Sequence, residues 1–181
     1  PTMASNAMLD WCVDRGIGWR VGCHAGKIEA INATIHGLHL SDRSIIAIVS
    51  DDMAVQQPWW DEIVAQDMLD AFPSLDGAIW YPDGIQDWIC TLSIMGRPVY
   101  DELGYLYCPE YKTAYCDNDY SELMAYSSRL RKVMKPIFRH EWRKDNNDAL
   151  MVRNEGRELY AHDKAVFERR RPEILAGRLR R

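Results

Sequence analysis

Apolar and polar positions along this chain switch between a helical period and short apolar runs. Residues 27–37 place Ile28, Ile31 and Ile35 on one face, which predicts an amphipathic helix after Gly26. Upstream, residues 4–14 gather Met8, Leu9, Trp11 and Cys12 on one side and read as a helix broken by Gly16 and Gly18. Residues 19–23 alternate as a short strand. The run Ile45-Ile46-Ala47-Ile48-Val49, within residues 44–49, predicts a fully buried central strand. A helix is expected over 59–71, ended by Pro73, and a strand over 77–81 before the Pro82-Asp83-Gly84 turn. Residues 89–95 read as extended, 98–103 as a helical turn closed by Gly104, and 105–111 as loop or strand. A helix over 120–133 carries Leu123, Met124, Leu130 and Val133, and 135–140 reads as one more strand. Strands alternating with helices predict an α/β protein with a three-layer, mostly parallel sheet and mixed orientation after Gly77.

The 181 residues suffice for one ordinary domain with a real core, and a hydrophobic share of 47% is that of a globular chain. Net charge is -5, so no general attraction to nucleic acid or anionic lipid is expected. No apolar run is long enough to span a bilayer. The five cysteines, Cys12, Cys23, Cys90, Cys108 and Cys116, are odd in number and lack a Cys-x-x-Cys pair. A reduced, cytoplasmic setting is the simplest account, with most of them buried as small hydrophobes. Residues 151–181 form a charged tail, basic at Arg169, Arg170, Arg171, Arg178, Arg180 and Arg181. It reads as a solvated helix offering a surface to a second copy of the chain. Nucleic-acid contact is disfavoured because no aromatics interleave the basic clusters.

Four clusters carry candidate chemistry. Asp51 and Asp52 end the apolar strand, where open α/β sheets bind ligands. Two adjacent acids repel unless something positive lies beside them, and a hard divalent cation suits carboxylate oxygens. The alternative is a plain cap for the helix near Pro58. Gly26-Lys27 opens a helix that continues to Asn32, so backbone N–H groups and a lysine form an anion site, or Lys27 is simply exposed. Asp117-Asn118-Asp119 precedes Tyr120, with Asp119 alternatively a helix cap. His140 follows an apolar pair and is either a ligand or a structural histidine.

Together these segments resemble the GT-A nucleotide-sugar glycosyltransferases of the family 2-like kind. Ser50-Asp51-Asp52 is similar to their Asp-x-Asp-type metal motif, and Gly26-Lys27-Ile28-Glu29-Ala30-Ile31-Asn32-Ala33 to their Gly-Lys-x-x-Ala-x-Asn helix start. Ile94-Met95-Gly96-Arg97-Pro98 through Gly104-Tyr105 resembles the acceptor-side segment, and Cys116-Asp117-Asn118-Asp119-Tyr120 the Glu-Asp-x-Asp-Leu block. The likeness runs from about Thr2 to about Trp142, within a domain over residues 1–150. Two departures stand out. By the resemblance, Pro1-Thr2 would fall just after the two strands that normally hold the nucleotide base, and Cys116 stands where the family has Glu.

The resemblance implies sugar transfer, with inversion, from a nucleotide-diphosphate donor to an acceptor hydroxyl. Asp52 would hold Mn2+ or Mg2+, with Asp51 sharing the metal or reaching the ribose and His140 completing the shell. Lys27, Asn32 and Arg97 would serve the donor, Lys27 and Arg97 by offsetting phosphate charge. Asp117 would be the general base, with Asp119 second choice. Trp88, Tyr81 and Tyr107 would line the sugar or acceptor site, or pack in the core. Two alternatives stay open: a sugar-phosphate nucleotidyltransferase, and a non-catalytic relative that serves as a binding or assembly module.

Overall fold

The computed structural model describes residues 13–14, 26–50, 52–141 and 156–178. The helix expected over 4–14 (except 13–14, which are helical), the strand over 19–23, Asp51 and Trp142 lie outside that set. The described part is a mixed α/β structure with five helices and a mixed sheet.

Helix α1, Lys27–His36, starts at Gly26 and buries Ile28, Asn32 and Ile35 along one stripe. Strand β1, Ile45–Ala47, follows, and then β2, Met53–Val55. Helix α2, Trp60–Ala71, buries Val64 and Met68. Strands β3, Ala78–Trp80, and β4, Ile94–Gly96, are buried at every position. Helix α3, Arg97–Leu103, has Pro98 in its first turn, where the missing N–H costs nothing. It stops at Gly104, whose φ of 74° suits a residue without a Cβ. Helix α4, Cys116–Tyr126, precedes β5, Leu130–Lys132, and β6, Phe138–His140. Helix α5, Arg157–Leu175, ends the described chain.

The main sheet has the order β1-β4-β3-β5. β4 is antiparallel to both β1 and β3, whereas β3 and β5 are parallel. Strands β1, β3 and β5 therefore share one direction, and the reversed strand lies inside the sheet rather than at its margin. β2 and β6 form a separate antiparallel pair in which Met53 faces His140. Alternation along the strands divides the core. Ile46, Ala78, Trp80 and Met95 pack with α1, α3, α4 and α5. Ile79, Ile94 and Tyr81 pack with α2 and with Phe138 of β6. At Gly96 a Cβ would lie 1.9 Å from the Leu75 carbonyl oxygen, so this crossing of backbones requires glycine.

Three expectations are corrected. β1 is terminal in the order of the described strands, and only its Ile46 is buried, so the five-residue apolar run is not a fully buried central strand. The helix expected over 120–133 ends at Tyr126, because Ser128 turns the chain at φ 59° and residues 130–132 leave as β5. The tail is not a free solvated arm: α5 lies on α4 of its own chain and buries Asp163, Val166, Arg170 and Ile174.

Candidate active site

Because β1, β3 and β5 run the same way, the segments that follow them leave the sheet at one edge. Asp52 follows β1 there, and Asp83 follows β3. The β2–β6 pair brings in a third group. Its register sets His140 opposite Met53, and the Glu141 amide donates to the Asp52 carbonyl at 2.8 Å. Nε2 of His140 lies 3.0 Å from Oδ2 of Asp52, and Nδ1 lies 3.1 Å from Oδ2 of Asp83. The His140 backbone N–H donates to the Asp83 carbonyl at 2.8 Å. Asp52 does not cap the next helix: it leads into β2, and α2 has Trp59 at its N-cap with no side-chain cap.

The electrostatics favour two ionised acids. Burial works against the charge on Asp83, but the Gln86 and Ile85 amides, the Thr91 hydroxyl and His140 outweigh it and hold the carboxyl below its ordinary range. Asp52 is lowered in the same way, burial opposing and Ser50 and His140 prevailing. Oδ1 of Asp52 is shut off from solvent and accepts no hydrogen bond of good geometry among the described residues.

Helix α4 runs back along β5, so its N-terminus returns to the same edge. The Cys90 amide donates to the Ser121 hydroxyl at 2.7 Å, and that hydroxyl donates to the Asp117 carbonyl at 2.6 Å. The neighbouring Thr91 hydroxyl donates to Oδ2 of Asp83 at 2.9 Å. The loop over residues 83–91 thus ties Asp83 to the start of α4. Between them sits Cys90, whose thiol is pushed up by burial and further by Asp117 and Asp83. Asp117 is half-buried and lines a cavity of about 580 Å³ with Lys27, Asn118, Tyr115 and Tyr160. Trp88 stands on the loop over residues 83–91, 67% exposed.

The remaining expected residues are placed elsewhere. Asp119 is buried, 2% exposed. Its Oδ1 accepts from Nε of Arg170 at 2.7 Å and from the Tyr111 hydroxyl at 2.8 Å, and Oδ2 accepts from Nη2 of Arg170 at 3.2 Å. It neither caps α4 nor faces a cleft. Asn32 is buried: its amide donates to the Tyr107 carbonyl at 2.7 Å and its oxygen accepts from the Leu106 amide at 3.0 Å. It fixes a loop. Arg97 lies at the opposite edge, because its amide donates to Ser44 just before β1; its guanidinium meets Asp101 and the Leu40 carbonyl. Tyr81 and Tyr107 are core residues, and the Tyr81 hydroxyl donates to Asp67 at 2.8 Å. Cys90, Cys108 and Cys116 are free and buried. Asp51 lies outside the described residues.

Asp83 is the residue that the sequence reading missed. The Pro82-Asp83-Gly84 stretch looked like a turn and nothing more. The usable signal was an acid directly after a strand, the same one that singled out Asp52.

Among the described residues no group of three or more His, Cys, Asp or Glu side chains forms a metal cluster. The pair Asp52–His140 still fits a divalent cation that keeps several non-protein ligands. Cis ligands at about 2.1 Å from an octahedral ion stand about 3 Å apart, and the observed separation is 3.0 Å. Oδ1 of Asp52, without a well-formed hydrogen bond among the described residues, adds acceptor capacity at the same place. No family model, no curated protein and no solved structure matches this chain significantly. No helix among the described residues is long and apolar enough to cross a membrane.

Proposed function

We propose that this chain is a metal-dependent inverting glycosyltransferase of the GT-A kind, moving a sugar from a nucleotide-diphosphate donor to an acceptor hydroxyl. The reading carries with it the three-layer GT-A description of the sheet. One observation supports it most: Asp52 and His140, from separate segments, meet at 3.0 Å beyond the end of β1, while Asp117 and Lys27 share an open cavity.

The division of labour follows from position. Asp52 and His140 would hold Mn2+ or Mg2+, which when bound stabilises charge on the departing diphosphate as a Lewis acid. Lys27, exposed at the N-terminus of α1, adds a positive charge beside Asp117. Asp117 takes the proton of the acceptor hydroxyl as that oxygen bonds to the anomeric carbon. The bond between the anomeric carbon and the diphosphate oxygen breaks, and its electron pair leaves with the nucleoside diphosphate. Attack opposite the leaving group inverts the centre. Asp117 is preferred over Asp119, because both oxygens of Asp119 are already engaged by Arg170 and Tyr111.

The test is incubation of the full chain with manganese, a panel of nucleotide sugars and hydroxyl acceptors. Release of nucleoside diphosphate together with a glycosylated product supports the reading. Release of pyrophosphate from nucleotide and sugar phosphate identifies a nucleotidyltransferase instead. A folded sample that binds no donor in the presence of manganese is the non-catalytic module.

A further inference from the structure

We propose that Asp83 is a positioning residue that fixes His140 in its Nδ1–H tautomer and so aims the Nε2 lone pair at the space beside Asp52. This rests on the metal reading above and assigns a role to a residue outside that reading. Asp83 is wholly buried at 0% exposure, which is costly for a carboxylate unless its lone pairs are matched. They are matched in two separate ways. Oδ1 accepts from the Ile85 and Gln86 amides at 2.9 and 2.8 Å, which shapes the loop. Oδ2 accepts from the Thr91 hydroxyl at 2.9 Å and faces Nδ1 of His140 at 3.1 Å. An ionised carboxylate has no proton to give, so Nδ1 must be the donor.

The main chain enforces the same alignment, since the His140 amide is bound to the Asp83 carbonyl at 2.8 Å. Ring and backbone of one histidine are thus held by one aspartate. In the neutral ring Nε2 is then an acceptor, 3.0 Å from another acceptor, Oδ2 of Asp52. Two lone pairs at that separation repel unless a positive centre, a proton or a bound cation, lies between them, and the cation takes the proton's place. A carboxylate behind a ligating imidazole fixes its tautomer and strengthens it as a donor to a cation.

Asp83→Asn in the full chain is the test. The amide oxygen can still receive the Ile85 and Gln86 N–H groups, while the amide nitrogen turns a donor toward Nδ1 and favours the Nε2–H tautomer. Two readouts apply: the ring nitrogen shifts of His140 by NMR, and manganese affinity by titration. The wild-type ring is expected to carry a proton on Nδ1, and the variant to carry its proton on Nε2 alone with manganese affinity about 10–100-fold weaker. Thr91→Val removes another partner of the same Oδ2 and loosens the same loop. It is expected to keep the Nδ1–H tautomer and manganese affinity within about threefold of wild type. A wild-type ring without a proton on Nδ1 overturns the inference. So does an Asp83→Asn variant with wild-type tautomer and affinity, or a Thr91→Val variant that weakens manganese as much as Asp83→Asn does. Failure of the wild-type chain to bind manganese overturns the metal reading itself.

Discussion

Two acid-centred clusters lie in this molecule, and they are built on opposite principles. Around Asp119 both carboxylate oxygens have partners and the charge is neutralised by Arg170, which reaches in from α5 and is itself buried. Burial works against the Arg170 charge, but the Asp119 carboxylate more than compensates and raises its proton affinity. Around His140 the sums do not close: two carboxylates flank one imidazole, and Oδ1 of Asp52 has no hydrogen bond of good geometry among the described residues. The Asp52 side chain is 40% exposed where that of Asp119 is 3% exposed. A saturated, closed cluster holds elements together; an open one with acceptor capacity to spare is where a cation or substrate finds something to do.

The sharpest way to break this comparison is at Asp117. Asp117→Asn is expected to lower transfer about 10²–10⁴-fold, the usual worth of a positioned base, with donor affinity nearly unchanged. Steady-state turnover beside calorimetric donor binding checks it. If Asp119→Asn alone abolished turnover in a stably folded chain, the roles of the two aspartates would be exchanged.

Asp119→Ala should cost stability instead. Leaving Arg170 buried without its partner is expected to cost about 3–5 kcal/mol in denaturant unfolding. The double change Asp119→Leu with Arg170→Met should recover much of that loss, because no uncompensated charge remains.

A smaller effect is expected at Asp163, which accepts the Lys112, Thr113 and Ala114 amides at 3.0, 2.8 and 2.8 Å and thereby props the wall of the Asp117 cavity. Burial opposes its charge, but His162 and those amides prevail and lower its folded-state pKa. A depressed carboxyl contributes stability above the unfolded value of about 3.9 and loses it as pH falls through the folded value. Asp163→Asn should therefore cost about 1–3 kcal/mol near neutrality, and its melting temperature should converge on wild type in acid. The smallest effect belongs to Asp101→Ala, which removes an i,i+4 partner of Arg97 at the surface and should cost only about 0.3–0.5 kcal/mol.

How much of this was legible in the sequence varies by element. Lys27–His36 and Trp60–Ala71 were visible because apolar spacing and a stop signal agree. β5 was hidden, since Leu130 and Val133 continue the helical spacing of Leu123 and Met124. The break is made by Ser128 at φ 59°, where no glycine announces it. Asp52, His140 and Asp117 were recognisable as chemistry-bearing residues, but not what each would touch. The Asp119–Arg170 pair spans 51 positions, and no local pattern encodes a contact at that distance. The stripe that docks α5 contains Asp163 and Arg170, so the helix looked polar all round.

Manganese titration of the wild-type chain against Asp52→Ala, followed by the electron paramagnetic resonance of the free ion, tests the division between the clusters most directly. The account predicts one bound ion per chain, an affinity loss of at least about tenfold in Asp52→Ala, and an unchanged affinity in folded Asp119→Asn. Equal affinity in the wild type and Asp52→Ala, or no bound ion in either, would contradict it.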